Sequence, residues 1–287
     1  MEHLPLISII LVTCGRPISF LKRSLNSIIS QTYENFQVTI VDSNTDSNTS
    51  CLISEYINSL DRIKIQLIRL PGASNNLARN TGFKASKGDY VAFLDDDDEW
   101  APDKLEKQVK LFEENTSIVY SNYHIINDKG KKDLFFPDIL KKDNLKVEIL
   151  GENVIGCTSM PLISSKTFIE VGGFDESFKA NQDWDLWIRI LQKNNAVYSS
   201  TIAGVKHYTQ DSISNNKYRR ISGWIHLFMK HAGKYAKNRE QLTKATGFFA
   251  GEMLNKKIYL VGMAALIFHF VSKGIHSRKK RTTQSLL

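Results

Sequence analysis

The clearest chemical signal in the sequence is a run of five acidic residues, 95–99, that follows the apolar segment 90–94. So much negative charge repels itself in a compact fold unless a cation compensates it, and carboxylate oxygens are ligands that Mg²⁺ and Mn²⁺ prefer. If the run is extended, Asp95 and Asp97 point to the same side. The run therefore predicts a divalent metal site. An exposed acidic turn that caps the helix beginning near Pro102 is the alternative interpretation.

Other polar residues stand where predicted strands end. Thr13 and Arg16 follow the first strand-like segment, and Asp42 follows the second. Ligands of open α/β sheets bind beyond the carboxyl ends of the strands, so these side chains are candidates for binding a substrate. Arg79 is a candidate donor to a phosphate or a base. Taken singly, Asp42 is more typical of a turn, and Arg79 fits a solvated helix equally well.

Asp183 stands at the start of a helix-like stretch, 183–192. A carboxylate at this position is suited to capping the helix or to accepting a proton as a general base, and the two roles are compatible. Trp184 and Trp187 are predicted to lie in the core on one helix face, with a platform for a sugar ring as the alternative. His207 is suited to completing a metal shell or to an ordinary surface position.

These side chains are positioned by predicted strands and helices that alternate along the first hundred residues. The strand-like segments are 7–12, 38–41, 63–68 and 90–94, and the helix-like segments are 18–30, 75–86 and 102–114. Alternation of this kind predicts an α/β fold with a mostly parallel sheet. The sequence contains neither the glycine-rich fingerprint of dinucleotide-binding folds nor that of P-loop proteins, so a phosphate group would be bound in another way.

The order of these motifs resembles that of the family-2 inverting glycosyltransferases of the GT-A fold, over about residues 5–214. The matching segments are 13–16, 41–44, 78–82, 93–98 with the D-x-D motif, 172–175 and 182–187. Cys14 and Gly15 depart from the family's first nucleotide-binding turn, and Gln182 replaces its usual acidic residue. The resemblance implies a Rossmann-like, mostly parallel central sheet flanked by helices, with a helical C-terminal extension.

The resemblance also implies a role for each matching residue. Nucleotide-sugar binding falls to Thr13, Arg16, Asp42, Arg79, Asp95 and Asp96. In this group Asp42 recognises the base, while Asp95 and Asp96 face the ribose and the sugar. Asp97 and His207 are the implied ligands of Mn²⁺ or Mg²⁺, and Asp183 is the implied catalytic base.

The implied enzyme is a metal-dependent hexosyltransferase that moves a sugar from a nucleoside diphosphate sugar, with a UDP-sugar as the expected donor. Asp183 would take the proton of an acceptor hydroxyl as its oxygen attacks the anomeric carbon, which inverts the configuration. The expected acceptor is a saccharide or a lipid-linked saccharide in surface polysaccharide or glycolipid synthesis. A phosphotransferase with Asp95 as nucleophile is disfavoured, because Glu99 stands where that chemistry places Thr or Val.

Charge is unevenly distributed along the 287 residues, which include 38 Lys+Arg and 30 Asp+Glu. Residues 1–214 contain 23 basic and 28 acidic residues, whereas residues 215–287 contain 15 basic and 2 acidic ones. We therefore expect a catalytic domain, with a nucleotide-binding half, 1–98, and an acceptor half, 99–214, followed by a basic helical segment, 215–287. A nucleic-acid-binding protein acting through this segment is the alternative function. Under the glycosyltransferase interpretation no nucleic acid is expected as a partner.

The basic segment includes fourteen uncharged residues, 258–271, which are too few to span a bilayer. This stretch fits a helix packed on the catalytic domain or one in a membrane interface, with the basic run 278–281 near anionic headgroups. Three scattered cysteines and the lack of a leader-like N-terminus favour a reducing compartment. We therefore expect a cytoplasmic protein, attached peripherally to an anionic membrane surface if the interfacial interpretation holds.

Overall fold

The computed structural model describes residues 4–60, 63–127, 130–134, 144–207, 216–259, 261–265 and 269. The first half of the chain contains β1 (Ile7–Thr13), α1 (Ile18–Ile29), β2 (Phe36–Asp42), α2 (Ser47–Asn58), β3 (Ile65–Arg69), α3 (Asn75–Lys84), β4 (Tyr90–Asp95), β5 (Glu99–Trp100) and α4 (Lys104–Val109). The second half contains β6 (Thr116–Asn127), β7 (Gly130–Leu134), α5 (Leu145–Gly151), β8 (Leu162–Ser164), α6 (Ser165–Glu170), α7 (Gln182–Lys193), β9 (Asn195–His207), α8 (Lys217–Lys230), α9 (Ala232–Lys237) and α10 (Arg239–Asn255).

The chain forms two compact units, and neither is continuous in sequence. Unit 1 consists of Met1–Pro137, Ile155–Glu176 and Gln192–Gln210, and unit 2 consists of Asp138–Val154, Ser177–Leu191 and Asp211–Leu287. The charge pattern, by contrast, predicts a single boundary after residue 214. Two short segments before that boundary, one with most of α7, belong to the same unit as the C-terminal helices. The functional division at residue 214 stays a prediction.

One sheet in unit 1 contains the nine described strands, in the order β3-β2-β1-β4-β8-β6-β9-β5, with β7 paired to β6. β1 is parallel to β2 and β4, β2 is parallel to β3, and β6 is parallel to β9. β8 lies between β4 and β6 and is antiparallel to both. The predicted α/β class is confirmed. Parallel pairing predominates among the first four strands, where helices supply the crossovers, and the rest of the sheet is mixed.

The central strand β1 is buried along its whole length, which is why its sequence is mostly apolar and not alternating. Ile9 and Leu11 belong to the same core cluster as Leu21 of α1. Ile10 faces α3, where Gly82 lies so close that a Cβ atom would come within 2.5 Å of Ile10 Cγ2. The missing side chain of Gly82 therefore lets α3 lie directly on the sheet.

The sequence pattern does not predict α2, because a stretch rich in Ser and Asn shows no clear apolar period. The helix follows Asp46, whose side chain accepts hydrogen bonds from the backbone N–H groups of Asn48 and Thr49. Ile53 and Ile57 bury its inner face. A side-chain cap and two buried residues thus support a helix whose periodicity is weak.

The predicted helical C-terminal extension is present in unit 2 as α8, α9 and α10. Trp224 of α8 packs edge-on against Trp184 of α7, with ring centroids 5.0 Å apart. Its Nε1 donates to Glu252 of α10 at 2.8 Å, and Arg220 donates twice to the same carboxylate, at 2.5 and 2.6 Å. These contacts join α7, α8 and α10 within the unit.

The predicted interfacial stretch, 258–271, lies only partly within the described residues, and the basic run 278–281 lies outside them. None of the helices that the structure describes is long and apolar enough to cross a membrane. The packed and the interfacial interpretations of this stretch both stay predictions.

Replacing Gly82 by alanine tests the contact between α3 and the sheet. Helix propensity alone would make the alanine variant more stable than the unsubstituted protein by about 1 kcal/mol. The added Cβ atom would lie 2.5 Å from Ile10 Cγ2 and 3.0 Å from Val41 Cγ2. We therefore expect overpacking to dominate and to destabilise the protein by about 1–3 kcal/mol.

The matched control is Gly251→Ala in α10, where no atom of the described residues lies within 4 Å of the new atom. We expect this variant to keep or raise the melting temperature, because only helix propensity changes. Thermal unfolding followed by circular dichroism measures both effects. Stabilisation by Gly82→Ala as well would contradict the close packing of α3.

Candidate active site

The carboxyl ends of β1, β2 and β4 lie side by side. The parallel register pairs Thr13 with Asp42, and Val12 with Asp95. Each strand thus delivers a polar residue to the same edge of the sheet, as expected for the ligand site of an open α/β sheet. Thr13 Oγ1 donates a 2.7 Å hydrogen bond to Asp96 Oδ2, which connects the end of β1 to the residues after β4.

The aspartates after β4 do not form an exposed capping turn, the alternative interpretation of this run. Asp98 has no exposed surface, and Asp96 and Asp97 are 5% and 6% exposed. The next helix, α4, follows Asp103, whose side chain makes no capping hydrogen bond. Asp96, Asp97 and Asp98 are therefore buried carboxyl groups that need compensation.

Asp95, Asp97 and Asp98 each bring one carboxylate oxygen to a group in which all three oxygens lie within 4.8 Å of one another. We call these residues the acidic cluster. Their oxygens are of the type that Mg²⁺ and Mn²⁺ prefer, and their burial next to other carboxylates favours a cation. The donor set therefore fits a divalent metal ion, with the predicted ligand Asp97 among its members.

Arg16 reaches the acidic cluster from the loop after β1. Its guanidinium contacts Asp97 directly and lies 3.5 Å from the carboxylate of Asp96. Burial, together with the neighbouring aspartates, raises the pKa of Asp96 to about 7 against the opposing effects of Arg16 and Thr13. Near neutral pH the proton occupancy of Asp96 therefore responds to any charge that binds beside it.

Arg79 compensates the first residue of the run. Its side chain is 1% exposed and donates to Asp95 Oδ1 at 2.5 Å, and its guanidinium lies over the ring of Phe174. Burial alone would raise the pKa of Asp95, but Arg79 and Lys206 outweigh burial and lower it. Asp95 is therefore ionised at neutral pH.

Two residues outside the predicted motifs hold Asp98. Ser159 Oγ donates to Asp98 Oδ2 at 2.6 Å, and Lys206 Nζ lies 3.9 Å from the same carboxylate. Burial raises the pKa of Asp98 to about 7, with Lys206 opposing the shift. Neither Ser159 nor Lys206 has a sequence signal of its own, apart from the position of Lys206 next to His207.

The ring of His207 pairs with a different acidic residue. Its Nε2 lies 2.5 Å from Glu99 Oε1, while its backbone N–H donates to Asp98 at 3.2 Å. Among the residues that the structure describes, the group of atoms close enough to share one ion does not include His207. Its role as a metal ligand stays a prediction.

Asp42 has no exposed surface, and both of its carboxylate oxygens have partners. Oδ1 accepts from the backbone and side-chain nitrogens of Asn44 at 2.9 and 2.7 Å, which is the local pattern of an Asx turn. Oδ2 accepts from Arg69 at 2.6 Å, and Arg69 is the register partner of Asp42 at the end of β3. Arg69 therefore stands at a strand end just as Asp42 does, and the same rule would have selected it as a candidate.

Asn80 joins two of the predicted motifs of unit 1. Its Nδ2 donates to the carbonyl oxygen of Phe174 at 2.8 Å, and its Oδ1 accepts from the Phe174 N–H at 3.0 Å. Gly172 and Gly173, which precede Phe174, have φ angles of 80° and 68°, a region that favours glycine. This turn therefore fixes α3, and with it the buried arginine that pairs with Asp95.

Asp183 lies in unit 2, in the first turn of α7. The helix begins at Gln182, so Asp183 is not its N-cap residue. Asp183 Oδ1 accepts from the backbone N–H of Trp184 at 2.7 Å. Trp184 and Trp187 are 6% and 0% exposed, as expected for core residues and unlike an open sugar platform. The role of Asp183 as a base stays a prediction.

Asp185 is a buried carboxylate that the motif pattern does not single out. It lies 2.9 Å from Arg189 Nε, 3.0 Å from Lys230 Nζ and 2.9 Å from His231 Nε2. Burial alone would raise the pKa of Asp185, but its hydrogen bond to His231 and the two cations outweigh burial and lower it. Because Lys230 ends α8, Asp185 ties α7 to the C-terminal helices.

The family model described as "Glycosyl transferase family 2" matches residues 8–172, which include the acidic cluster and end before Asp183. An Escherichia coli protein named UDP-Glc:alpha-D-GlcNAc-diphosphoundecaprenol beta-1,3-glucosyltransferase WfgD is 33% identical over 69% of this chain and 76% of its own length. Bacillus subtilis TuaG, named for teichuronic acid biosynthesis, is 25% identical over 75% of this chain and 84% of its own length. In an uncharacterized glycosyltransferase of Rickettsia felis, 30% identical, the match spans only 32% of that protein.

Solved structures share the fold at low sequence identity. S. aureus TarS 1-349 in complex with UDP-GlcNAc has a TM-score of 0.65 at 17% identity, covering 84% of this chain and 71% of that one. The mannosyltransferase PcManGT from Pyrobaculum calidifontis, in complex with GDP-Man and Mn²⁺, has a TM-score of 0.62 at 17% identity. The match covers 96% of this chain and 84% of that one. The predicted GT-A architecture is thereby confirmed. Because the family model matches more than half of the chain and the E. coli relative is 33% identical over 69% of it, the protein belongs to glycosyl transferase family 2.

Proposed function

We propose that the protein transfers a sugar from a nucleoside diphosphate sugar to a hydroxyl group of a saccharide acceptor, with inversion at the anomeric carbon. The observation that carries this proposal is the largely buried acidic cluster at the shared ends of β1, β2 and β4, in a chain of this family. Carboxylate oxygens gathered at one point are ligands that a divalent cation prefers, and such a cation would attract the diphosphate of the donor.

The donor is proposed to lie across the strand ends. Asp42 recognises the base, and Thr13 lines the same pocket. Asp95, which Arg79 keeps ionised, and Asp96 face the ribose and the sugar. A UDP-sugar is the proposed donor, because the name of the E. coli relative specifies UDP-Glc and the S. aureus structure contains UDP-GlcNAc.

Asp97, with Asp95 and Asp98, is proposed to hold Mn²⁺ or Mg²⁺, with His207, whose backbone N–H donates to Asp98, as a further proposed ligand. When bound, the ion supplies positive charge to the diphosphate as it leaves. Arg16 contacts the carboxylate of Asp97 and adds a second positive charge at this position. Charge that is held in place before the reaction stabilises the leaving group without reorganisation.

Asp183 is the proposed general base. Its carboxylate takes the proton of the acceptor hydroxyl as the hydroxyl oxygen forms a bond to the anomeric carbon. The bond from this carbon to the diphosphate oxygen breaks on the opposite face, and its electron pair leaves with the nucleoside diphosphate. Asp185 supports this role because it fixes α7 to α8, so the position of the base does not depend on a loop.

A lipid-linked saccharide is the proposed acceptor, and surface polysaccharide synthesis is the proposed process. The name of the E. coli relative specifies a GlcNAc-diphosphoundecaprenol acceptor, and that of the B. subtilis relative refers to teichuronic acid. An acceptor of this kind is anchored in a bilayer. We therefore also propose peripheral attachment to the cytoplasmic face of a membrane, which the excess of basic residues in 215–287 supports.

A screen of nucleotide sugars tests the reaction class. We expect one donor to release nucleoside diphosphate, faster with Mn²⁺ and faster again with a saccharide linked to polyprenyl diphosphate. The released nucleoside diphosphate is measured directly. Salt-sensitive binding to nucleic acid, together with no binding or turnover of any nucleotide sugar, would support the alternative function instead.

Asp183→Asn tests the base. The amide cannot accept the hydroxyl proton, so we expect turnover to fall about 10²–10⁴-fold while donor affinity, measured by calorimetry, stays unchanged. The matched control is Asp103→Asn at the start of α4, where the side chain is 42% exposed and pairs with Lys107. Near-normal turnover of Asp183→Asn would show that Asp183 is not the general base.

Asp97→Ala tests the metal site. We expect Mn²⁺ to strengthen nucleotide-sugar binding by the unsubstituted protein and to have little effect on the variant, because a ligand oxygen is lost. Calorimetric titrations with and without Mn²⁺ measure the difference, and Asp103→Ala is the control. If both variants respond to Mn²⁺ as the unsubstituted protein does, the assignment of Asp97 is wrong.

A further inference from the structure

One face of α8 exposes a row of mainly apolar side chains. Tyr218, Ile225 and Met229 are 85%, 49% and 72% exposed, and Ser222 between them is exposed as well. The positions 218, 222, 225 and 229 are spaced by four, three and four residues, which places them on one line along a helix. We call these four residues the outer stripe.

The opposite face of α8 is fixed within unit 2, so the orientation of the outer stripe is determined. Trp224 and Leu227 are buried, and Arg220 makes two hydrogen bonds to Glu252. Gly223 lies so close to the backbone of Ala180 that a Cβ atom added to it would come within 2.6 Å of the Ala180 carbonyl oxygen. α8 therefore cannot rotate to bury the outer stripe without losing these contacts.

Basic residues flank the N-terminal end of the outer stripe. Lys217 and Arg219, both exposed, lie next to Tyr218 and project to either side of the stripe by helical geometry. Helices α8, α9 and α10 together contain eight basic residues and two acidic ones. One of the acidic residues, Glu252, is already paired with Arg220.

We propose that the outer stripe of α8 inserts into the interface of an anionic lipid bilayer. Apolar side chains on one helix face with basic residues beside them are the pattern of an interfacial helix, and basic residues are drawn to anionic headgroups. Tyr218 has the apolar ring and polar hydroxyl that suit the headgroup level. Ile225 and Met229 offer nothing to the phosphates or base edges of a nucleic acid, so lipid is the better match.

This inference rests on the proposed function, because it places the enzyme where a lipid-linked acceptor is held. It also assigns membrane contact to α8, which is fixed in unit 2, and not to the stretch 258–271. The two assignments predict different outcomes for substitutions in α8.

The experiment compares the full chain with two double variants that carry the same change of charge. Ile225→Glu/Met229→Glu places two carboxylates in the outer stripe, at side chains that are 49% and 72% exposed. The matched control, Leu52→Glu/Ile169→Glu, changes side chains of α2 and α6 that are 50% and 66% exposed. General electrostatic repulsion is therefore the same in both variants, and only the position differs.

Co-sedimentation with vesicles of equal parts phosphatidylcholine and phosphatidylglycerol measures binding. We expect the unsubstituted protein and the control to bind, and the stripe variant to bind at least about tenfold more weakly. Vesicles of phosphatidylcholine alone, or high salt, should weaken binding of the unsubstituted protein, because both remove attraction to the basic residues.

Equal vesicle binding by the stripe variant and the control would overturn the inference, as would failure of the unsubstituted protein to bind anionic vesicles. Loss of dimerisation, or of DNA binding, in the stripe variant with vesicle binding intact would assign this face to a second copy or to nucleic acid, and would also overturn it. Circular dichroism checks that the stripe variant is folded.

Donor turnover in solution, measured on the same three proteins without vesicles, separates this inference from the proposed function. Retained turnover with lost vesicle binding supports the inference. Absence of turnover in all three proteins would refute the proposed function, while the comparison of vesicle binding would still decide the role of the outer stripe.

Discussion

The burial of negative charge after β4 is the constraint that the rest of unit 1 satisfies. Removing a carboxylate from water costs several kcal/mol unless cations or hydrogen-bond donors replace the water. The replacements come from the loop after β1, from α3 and from the end of β9, which are far apart in sequence. The parallel register of β1, β2 and β4 brings the first two of these elements to the aspartates. Correct strand pairing is thus a condition for burying the charge.

Several motif residues serve packing and not chemistry. Gly82 lets α3 lie on the sheet, and Asn80 binds the backbone of Phe174 through both atoms of its amide. The two glycines before Phe174 supply the backbone conformation that this contact requires. These residues act on the site indirectly, because they set the position of Arg79 and therefore of the charge that keeps Asp95 ionised.

Sequence reasoning predicted the fold and the strand ends at which the candidate site lies, because both depend on local rules. Apolar runs mark buried strands, and strand ends collect Thr13, Asp42 and Asp95 at one edge of the sheet. The partners Lys206 and His231 could not be predicted, since lysine and histidine are ordinary surface residues until a tertiary contact gives them a specific role. The antiparallel placement of β8 and the helix α2 were equally inaccessible, because a three-residue strand and a polar helix carry too little apolar pattern.

The discontinuity of unit 2 bears on how chains of this kind can be recombined. The charge of the sequence changes sign after residue 214, which makes that point attractive for a crossover between relatives. A crossover there would separate Asp185 from Lys230 and His231, and would leave a buried carboxylate dependent on foreign cations. The segment 177–191 and the C-terminal helices are therefore best exchanged, and inherited, as a single block.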